Sequence, residues 1–259
     1  MEEEGDMKYA VLVDPAKCIG CRGCQVACKR WNNRPGEATT FSSEWTNPPK
    51  LSFKTYTHIR FKLEYNKSAD ETKWRFFNWR CMHCKDPACA SACPVEAITK
   101  YEEGPVVIDA KKCIGCKFCV SACPFEIPKF DATSGTVEKC HMCYDRVPEK
   151  EPACVQACPT DALIFGPRDE ILQKATKRAT ELNGHIYGDI ENKPLGGTSF
   201  IYVLDSDPSV FGLPDVAEKQ QLTVPMVKNS KLLLIPAALG GLFYLLSWRK
   251  RRMQETEEE

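Results

Sequence analysis

Sixteen cysteines lie in four groups along this chain of 259 residues, and the groups repeat nearly the same spacing. The first and third groups read CIGCRGCQVAC and CIGCKFCVSACP, so two distant stretches are almost identical. The second and fourth groups, CMHCKDPACASACP and CHMCYDRVPEKEPACVQACP, are looser copies. No cysteine lies outside these groups. The rest of the chain is therefore organised around these four groups.

The spacing C-x2-C-x2-C-x3-C is typical of thiolates that ligate 4Fe-4S clusters. Three cysteines on a tight loop can converge on one cluster, and Gly20 and Gly115 let the backbone curl close to it because they lack a Cβ atom. We expect the fourth cysteine to open a helix that leads away, and so to ligate a neighbouring cluster. Each pair of motifs then holds two clusters, and the four motifs predict four 4Fe-4S clusters. The spacing leaves open which motifs pair.

Two other uses of cysteine are less consistent with this pattern. A disulfide framework is typical of small secreted domains, whereas this chain is long and 43% of its residues are hydrophobic. Structural zinc sites favour two C-x2-C pairs separated by about a dozen residues or more, and only the fourth group approaches that arrangement. A zinc-stabilised scaffold without redox function remains the alternative from a different class.

The composition points away from catalysis and from nucleic acid. Lysine plus arginine and aspartate plus glutamate both number 35, so no nucleic-acid partner is expected. The chain has no dinucleotide or nucleophile motif, and we predict that it is not an enzyme on its own. His83 and His141 lie inside cysteine motifs, where each either tunes a cluster potential or packs beside the cluster.

Local patterns predict an α+β fold. The stretch Lys8–Asp14 resembles a strand that leads into the first motif, and Ala97–Asp109 resembles a hairpin that leads into the third. IPKFDATSGTVEKC predicts a second hairpin, and Ala162–Phe165 a strand after the fourth motif. These recurring elements indicate an internal repeat of two ferredoxin-like modules.

Accessory segments interrupt and follow the modules. In the insertion at 31–80, FKTYTHIRFKLEY alternates polar and apolar residues and TKWRFFNW is rich in aromatic residues, which predicts two strands. This insertion either contacts a catalytic partner or wraps one side of the clusters. Further on, Arg168–Leu182 predicts a helix and Ser199–Asp205 a strand.

A membrane anchor is predicted near the C-terminus. The stretch Leu232–Trp248 is uncharged and about as long as the shortest spanning helix, although a buried core helix is the alternative. The cations Arg249–Arg252 follow at once, which predicts a cytoplasmic tail and a cluster domain on the extracytoplasmic side. The N-terminus has no basic and apolar leader, so no secretory signal is expected. Export then requires a partner that bears a twin-arginine signal.

The predicted architecture is therefore α+β, with two ferredoxin-like modules for four 4Fe-4S clusters, an accessory β insertion and one C-terminal transmembrane helix. The predicted parts are a first module (1–30 and 138–166), an accessory insertion (31–80), a second module (81–137), an accessory α/β segment (167–207), a linker (208–230), the membrane helix (231–249) and a cytoplasmic tail (250–259).

Longer stretches carry a resemblance to a known family. CQVACKRWNN, NPPKLS, CMHCKDPAC, CPFEIPKF, KCHMCYDRV, EPACVQACPTDAL and GGTSFIYVL resemble the iron-sulfur (beta) subunits of membrane-bound respiratory formate dehydrogenases along nearly the whole chain. These belong to the four-cluster electron-transfer subunits of molybdopterin oxidoreductases. Subunits of the dimethyl sulfoxide and polysulfide reductase type share the motifs but generally lack the terminal helix. Nitrate reductase beta subunits are longer and replace one cysteine.

The resemblance implies a pairing of the first motif with the fourth and of the second with the third. Carried over by position, it assigns four ligands to each cluster. Cluster 1 takes Cys18, Cys21, Cys24 and Cys158; cluster 2 takes Cys28, Cys140, Cys143 and Cys154; cluster 3 takes Cys93, Cys113, Cys116 and Cys119; cluster 4 takes Cys81, Cys84, Cys89 and Cys123.

The resemblance also implies the function. Electrons would pass from a molybdenum or tungsten pterin site in a catalytic alpha subunit, through four clusters, to a membrane cytochrome b gamma subunit and quinone. The first module would face the alpha subunit and the second the gamma subunit. The helix would contact the lipid bilayer, and the heterotrimer would form a higher oligomer. The alternative keeps the relay and changes the source to a nickel-iron hydrogenase or another molybdopterin enzyme.

Overall fold

The computed structural model describes residues 7–41, 45–66, 70–189 and 196–215. Ten strands and five α-helices are found there, numbered in chain order. The strands are β1 (Tyr9–Val13), β2 (His58–Asn66), β3 (Glu71–Trp79), β4 (Ile98–Lys100), β5 (Val106–Ile108), β6 (Lys129–Asp131), β7 (Thr136–Glu138), β8 (Leu163–Pro167), β9 (His185–Tyr187) and β10 (Phe200–Leu204). The helices are α1 (Gly23–Trp31), α2 (Ala88–Ser91), α3 (Phe118–Ala122), α4 (Ala153–Gln156) and α5 (Arg168–Leu182).

A four-stranded sheet in the order β8-β1-β10-β9 joins the two ends of the described chain. Strand β1 runs antiparallel to β8 and parallel to β10, with Val11 opposite Phe200. On one face, Ala10 and Leu12 pack against Ile171 and other apolar residues of α5. The opposite face contributes to the core that contains the cysteines. The sheet therefore separates the surface helix from the candidate site.

The remaining strands form three antiparallel hairpins: β2 with β3, β4 with β5, and β6 with β7. The hairpins predicted before the third and fourth motifs are thus present, as are the two accessory strands. Helix α5 begins and ends where the sequence predicts it. The first accessory strand begins at His58 rather than at Phe53. A small turn lies before it, in which Ser52 bridges Thr55.

The predicted membrane helix, Leu232–Trp248, lies outside the described residues. Across the ranges that the structure does describe, no helix has both the length and the apolar character needed to span a bilayer.

Candidate iron-sulfur sites

The four motifs share one local geometry. The third cysteine of each motif occupies the second position of a short helix; these are Cys24 in α1, Cys89 in α2, Cys119 in α3 and Cys154 in α4. Arg22 and Lys117, which precede α1 and α3, adopt the left-handed conformation with φ of 61° and 64°. Pro87 and Pro152 precede α2 and α4. These residues fix where each helix begins.

The expectation that the fourth cysteine opens a helix was wrong. Cys28 lies within α1, and Cys123 caps the C-terminal end of α3. Cys93 and Cys158 follow the ends of α2 and α4. In every motif the helix begins one residue before the third cysteine. The fourth thiol is therefore carried away from the first three by one helical turn.

Two of the cysteine sets implied by the family resemblance each line a single cavity. Set 1, defined as Cys18, Cys21, Cys24 and Cys158, lines a cavity of about 410 Å³ with Ile59 and Phe77 on its wall. Set 3, defined as Cys93, Cys113, Cys116 and Cys119, lines a cavity of about 310 Å³ that also contacts Ile98 and Val137. Both cavities include space that is open to solvent. In each, four thiols from two motifs surround one space.

The other two sets are recognised by the effect of their thiols on one another's pKa. In set 2, defined as Cys28, Cys140, Cys143 and Cys154, burial raises the pKa of Cys28, and the other three thiols add to that rise. In set 4, defined as Cys81, Cys84, Cys89 and Cys123, burial likewise raises the pKa of Cys84, with added contributions from its three companions. Each set thus brings together two distant motifs.

Effects of thiols on one another's pKa indicate which sets are neighbours. Cys154 in set 2 adds to the rise in the pKa of Cys24 in set 1. Cys81 in set 4 adds to the rise in the pKa of Cys140 in set 2. Cys119 in set 3 adds to the rise in the pKa of Cys89 in set 4. The order is therefore set 1, set 2, set 4, set 3.

The two ends of this series reach the surface. Cys21 in set 1 and Cys116 in set 3 are exposed, whereas the other cysteines are buried or half-buried. The terminal sets are thus the ones that an external electron donor or acceptor can approach most closely.

Two buried cations that sequence reasoning missed lie among the sets. Arg80 and Lys139 are only 1% and 5% exposed. Arg80 Nη1 donates to Cys154 Sγ at 2.7 Å, and Lys139 Nζ donates to the carbonyl of Cys140 at 3.1 Å. Each cation directly precedes a C-x2-C pair in the sequence, and that position could have indicated a cation close to the cysteines. Buried positive charge compensates the negative charge that thiolate ligands bring into the core.

His83 packs inside the core rather than at the surface. Its ring is fully buried, and its Nδ1 accepts a hydrogen bond from the backbone N–H of Val106 at 2.8 Å. The pKa of His83 is well below its usual range because of burial and of the nearby Lys139 and Lys100. The neutral ring therefore carries its proton on Nε2, which has no hydrogen-bond partner within the described part of the chain. His141 differs, because its Nε2 contacts Asn32 Oδ1.

The donor sets fit the iron-sulfur clusters that their spacing predicts. All sixteen cysteines lie in the described part of the chain, and none of them forms a disulfide. Each set offers four thiols, and thiolates are the usual ligands of 4Fe-4S clusters. Within the described ranges, no three His, Cys, Asp or Glu side chains converge as ligands of a single metal ion. A cubane is a larger object, and its ligands are spread around it.

Comparison with known proteins agrees with this chemistry. Two models of 4Fe-4S dicluster domains match residues 17–97 and 72–168. The formate dehydrogenase-O iron-sulfur subunit of Escherichia coli K12 is 40% identical over 220 residues, which are 82% of this chain and 72% of the relative. The formate dehydrogenase iron-sulfur subunit of Haemophilus influenzae is 37% identical over 246 residues, covering 91% and 78%. The B component of the anaerobic dimethyl sulfoxide reductase of Escherichia coli K12 is 37% identical over 177 residues, covering 64% and 77%.

Proposed function

Since the chain belongs to the family of formate dehydrogenase iron-sulfur subunits, we propose that it relays electrons from formate oxidation through four 4Fe-4S clusters. The donor would be a molybdenum or tungsten pterin site in a catalytic alpha subunit. The acceptor would be a cytochrome b gamma subunit that passes electrons to quinone. When bound, a 4Fe-4S cluster takes up and releases one electron without breaking a bond.

The observation that carries this proposal is the series of four sets with exposed ends. Consecutive sets lie close enough for their thiols to influence one another, as in the pairs Cys24–Cys154 and Cys140–Cys81. We assign the ligands of clusters 1 to 4 to sets 1 to 4. The polypeptide would then hold the clusters at fixed separations and shield them from solvent.

The surfaces beside the two ends have the character of docking sites. Next to Cys21, Ile19, Trp45 and Trp74 are each more than half exposed, and this group is called the first face. Arg22 holds the first face together, because it donates to the carbonyl of Trp45 at 2.7 Å while Trp45 contacts Trp74 edge to face. Large exposed apolar groups of this kind are typical of protein interfaces.

A second face lies beside Cys116. Ile114 and Phe118 are more than half exposed there. By analogy with the family, the first face would meet the alpha subunit and the second face the gamma subunit. Trp74→Ala should then weaken association with the alpha subunit, and Phe118→Ala association with the gamma subunit. Both variants can be compared by the subunit composition of the purified complex.

The membrane position of the chain is part of the proposal. The stretch Leu232–Trp248 would anchor the chain in the bilayer, with its tail in the cytoplasm and the clusters on the extracytoplasmic side. The folded subunit would cross with a partner that carries the export signal, and the heterotrimers would associate further. Deleting the stretch and washing the membranes free of partners tests the anchor. Retention of the shortened chain on those membranes would contradict it.

The proposed donor can be tested on the complex purified from membranes with its native partners. Formate alone should bleach the visible absorbance of the clusters, and molybdenum or tungsten should be present in the same sample. Reduction by hydrogen but not by formate, with nickel present, would keep the relay and replace the proposed partner with a hydrogenase.

A further inference from the structure

A hydrogen-bonded chain of two side chains connects the first two cysteine sets. Strand β3 ends between these sets and places Asn78 and Arg80 there, both buried. Asn78 Nδ2 donates to Cys24 Sγ of set 1 at 3.1 Å. Arg80 Nη1 donates to Cys154 Sγ of set 2 at 2.7 Å, and its Nε donates to Asn78 Oδ1. The path from one ligand to the other is therefore continuous.

Strand β10 holds these two side chains in place. The hydroxyl of Tyr202 donates to the backbone carbonyl of Asn78 at 2.7 Å. The guanidinium of Arg80 lies 4.6 Å from the centre of the Phe200 ring. An arginine between a ring and two hydrogen-bond acceptors has little freedom to move. The two side chains thus form a fixed part of the core.

Arg80 also has a donor to spare. Its Nη2 is buried and has no hydrogen-bond partner within the described residues. An unsatisfied donor on a buried cation carries a large desolvation cost, so some acceptor is expected to meet it. A sulfide or thiolate of a bound cluster would supply that acceptor.

The charge of Arg80 acts on both sets. Burial would lower the pKa of Arg80, but the thiolates of Cys154, Cys140 and Cys24 raise it above its ordinary value. In turn, burial raises the pKa of Cys24 to about 12, and Arg80 offsets part of that rise. The guanidinium stays protonated throughout, as arginine does in proteins. One permanent cation is therefore shared by the two sites.

We propose that Arg80 raises the reduction potentials of clusters 1 and 2 together, and that Asn78 and Arg80 form the hydrogen-bonded bridge by which the electron passes between them. The cation stabilises the reduced, more negative state of each cluster. One electron leaves one cluster as the other gains it, and no bond breaks and no proton moves. This inference rests on the proposed occupancy of sets 1 and 2, but not on formate as the donor.

Lys139 provides a matched control. It is a buried cation like Arg80, but its Nζ is held by the carbonyls of Val106 and Cys140 rather than by sulfur. Its charge lowers the pKa of Cys89 and Cys123 against the larger effect of burial, so it acts on set 4. Lys139→Met should therefore lower the potential of cluster 4 and leave that of cluster 1 in place.

The test is a redox titration of the purified complex with chemical mediators, followed by electron paramagnetic resonance. In Arg80→Met, the reduction potentials of two clusters should fall together. The expected fall is roughly tenfold in the reduction equilibrium, or about 59 mV for one electron. Asn78→Leu keeps the cation and removes the donor to Cys24, so the potential of only one cluster should fall. Unchanged potentials in Arg80→Met, or an equal shift of all four signals, would overturn the inference.

Iron and sulfide are measured on every variant before titration. If Arg80→Met loses its clusters, the potentials of Arg80→Lys and Asn78→Leu test the proposal instead. Arg80→Lys keeps the charge without the forked donor, so both potentials should stay near those of the natural chain while electron exchange between the two clusters slows. A fall of both potentials in Arg80→Lys would count against the cation as their cause. Unslowed electron exchange in Arg80→Lys, or no change in Asn78→Leu, would count against the bridge. Since mediators replace formate, a wrong electron donor would leave this result intact.

Discussion

Helix α1, which carries the end of the first motif, has nine residues, whereas α3, which carries the end of the third, has five. The two motifs are almost identical, and the difference follows from one position. Pro124 comes directly after Cys123, and the residue before a proline is pushed out of the helical conformation. Lys29 comes after Cys28, so α1 continues.

The extra length of α1 ties the first motif to the fourth. Trp31 Nε1 donates to the carboxylate of Asp145 at 3.1 Å, and Asn32 contacts His141. Asn32 Nδ2 also donates to the carbonyl of Cys28 at 2.8 Å. A proline after the fourth cysteine thus ends the helix of the third motif. Without that proline, α1 continues far enough for the first motif to contact the fourth.

A second contrast concerns the two motif glycines. Gly20 and Gly115 have φ of +67° and +68°, a conformation that other residues adopt at a cost. A Cβ on Gly20 would come within 3.1 Å of the Phe76 ring, which is a side chain. A Cβ on Gly115 would come within 2.3 Å of the backbone oxygen of Gly135. The second module therefore tolerates less change in its loop.

Gly115→Ala should show the largest effect. Both alanine variants carry a conformational cost of about 1 to 2 kcal/mol. Gly115→Ala adds an overlap with backbone that only movement of the β6–β7 turn can relieve, for a total of roughly 2 to 5 kcal/mol. Thermal unfolding and iron content measure both. Equal loss of stability in Gly20→Ala and Gly115→Ala would contradict the contrast.

Lys29→Pro should shorten α1, so that the first motif resembles the third, in which the helix ends before the fourth cysteine. Proline inside a helix removes a backbone donor and costs about 3 kcal/mol. The change should also loosen the contacts of Trp31 and Asn32 with the fourth motif. Lys29→Ala is the control, since it removes the side-chain contacts of Lys29 with Glu37 and the carbonyl of Lys54 but keeps the helix. If the two variants unfold alike, the length of α1 is not what secures the pairing.

The smallest expected effect is on the pH dependence of the cluster-free chain. Burial raises the pKa of Cys24 and Cys140 to about 12, and that of Cys119 and Cys123 to about 11, from 9.0. Below pH 9 these thiols are protonated in both the folded and the unfolded chain. Above pH 9 only the unfolded chain ionises, so stability should fall as the pH rises.

Circular dichroism of the cluster-free chain under reducing, anaerobic conditions measures that loss. Cys24→Ala should remove part of that loss, because it removes one of the thiols whose pKa is raised by burial. A melting temperature that stays level from pH 9 to about 11 would show that the thiols are not buried as the structure places them.

Local pattern was enough to predict most elements. Helix α5 and the hairpins near the third and fourth motifs follow from periodicity and turn residues within a few positions. The parallel pairing of β1 with β10 could not be predicted, because Val11 and Phe200 are brought together only by the whole intervening chain.

The cysteine sets could be predicted from the sequence, whereas the bridge formed by Asn78 and Arg80 could not. The motifs mark every thiol in the sequence, and the family resemblance implies their partition into sets. Asn78 and Arg80 lie in a stretch that predicts only an accessory strand, and their contact with sulfur depends on where that strand ends in the core. Buried polar residues at the end of such a strand are a usable signal only once the fold is known.

Counting iron and acid-labile sulfide per chain tests most directly whether two paired modules hold four cubane clusters. We expect about sixteen of each in the anaerobically purified complex, after subtraction of the iron and sulfide carried by partner subunits. Zinc without sulfide would contradict it, and about eight irons per chain would show that only one module is a cluster site.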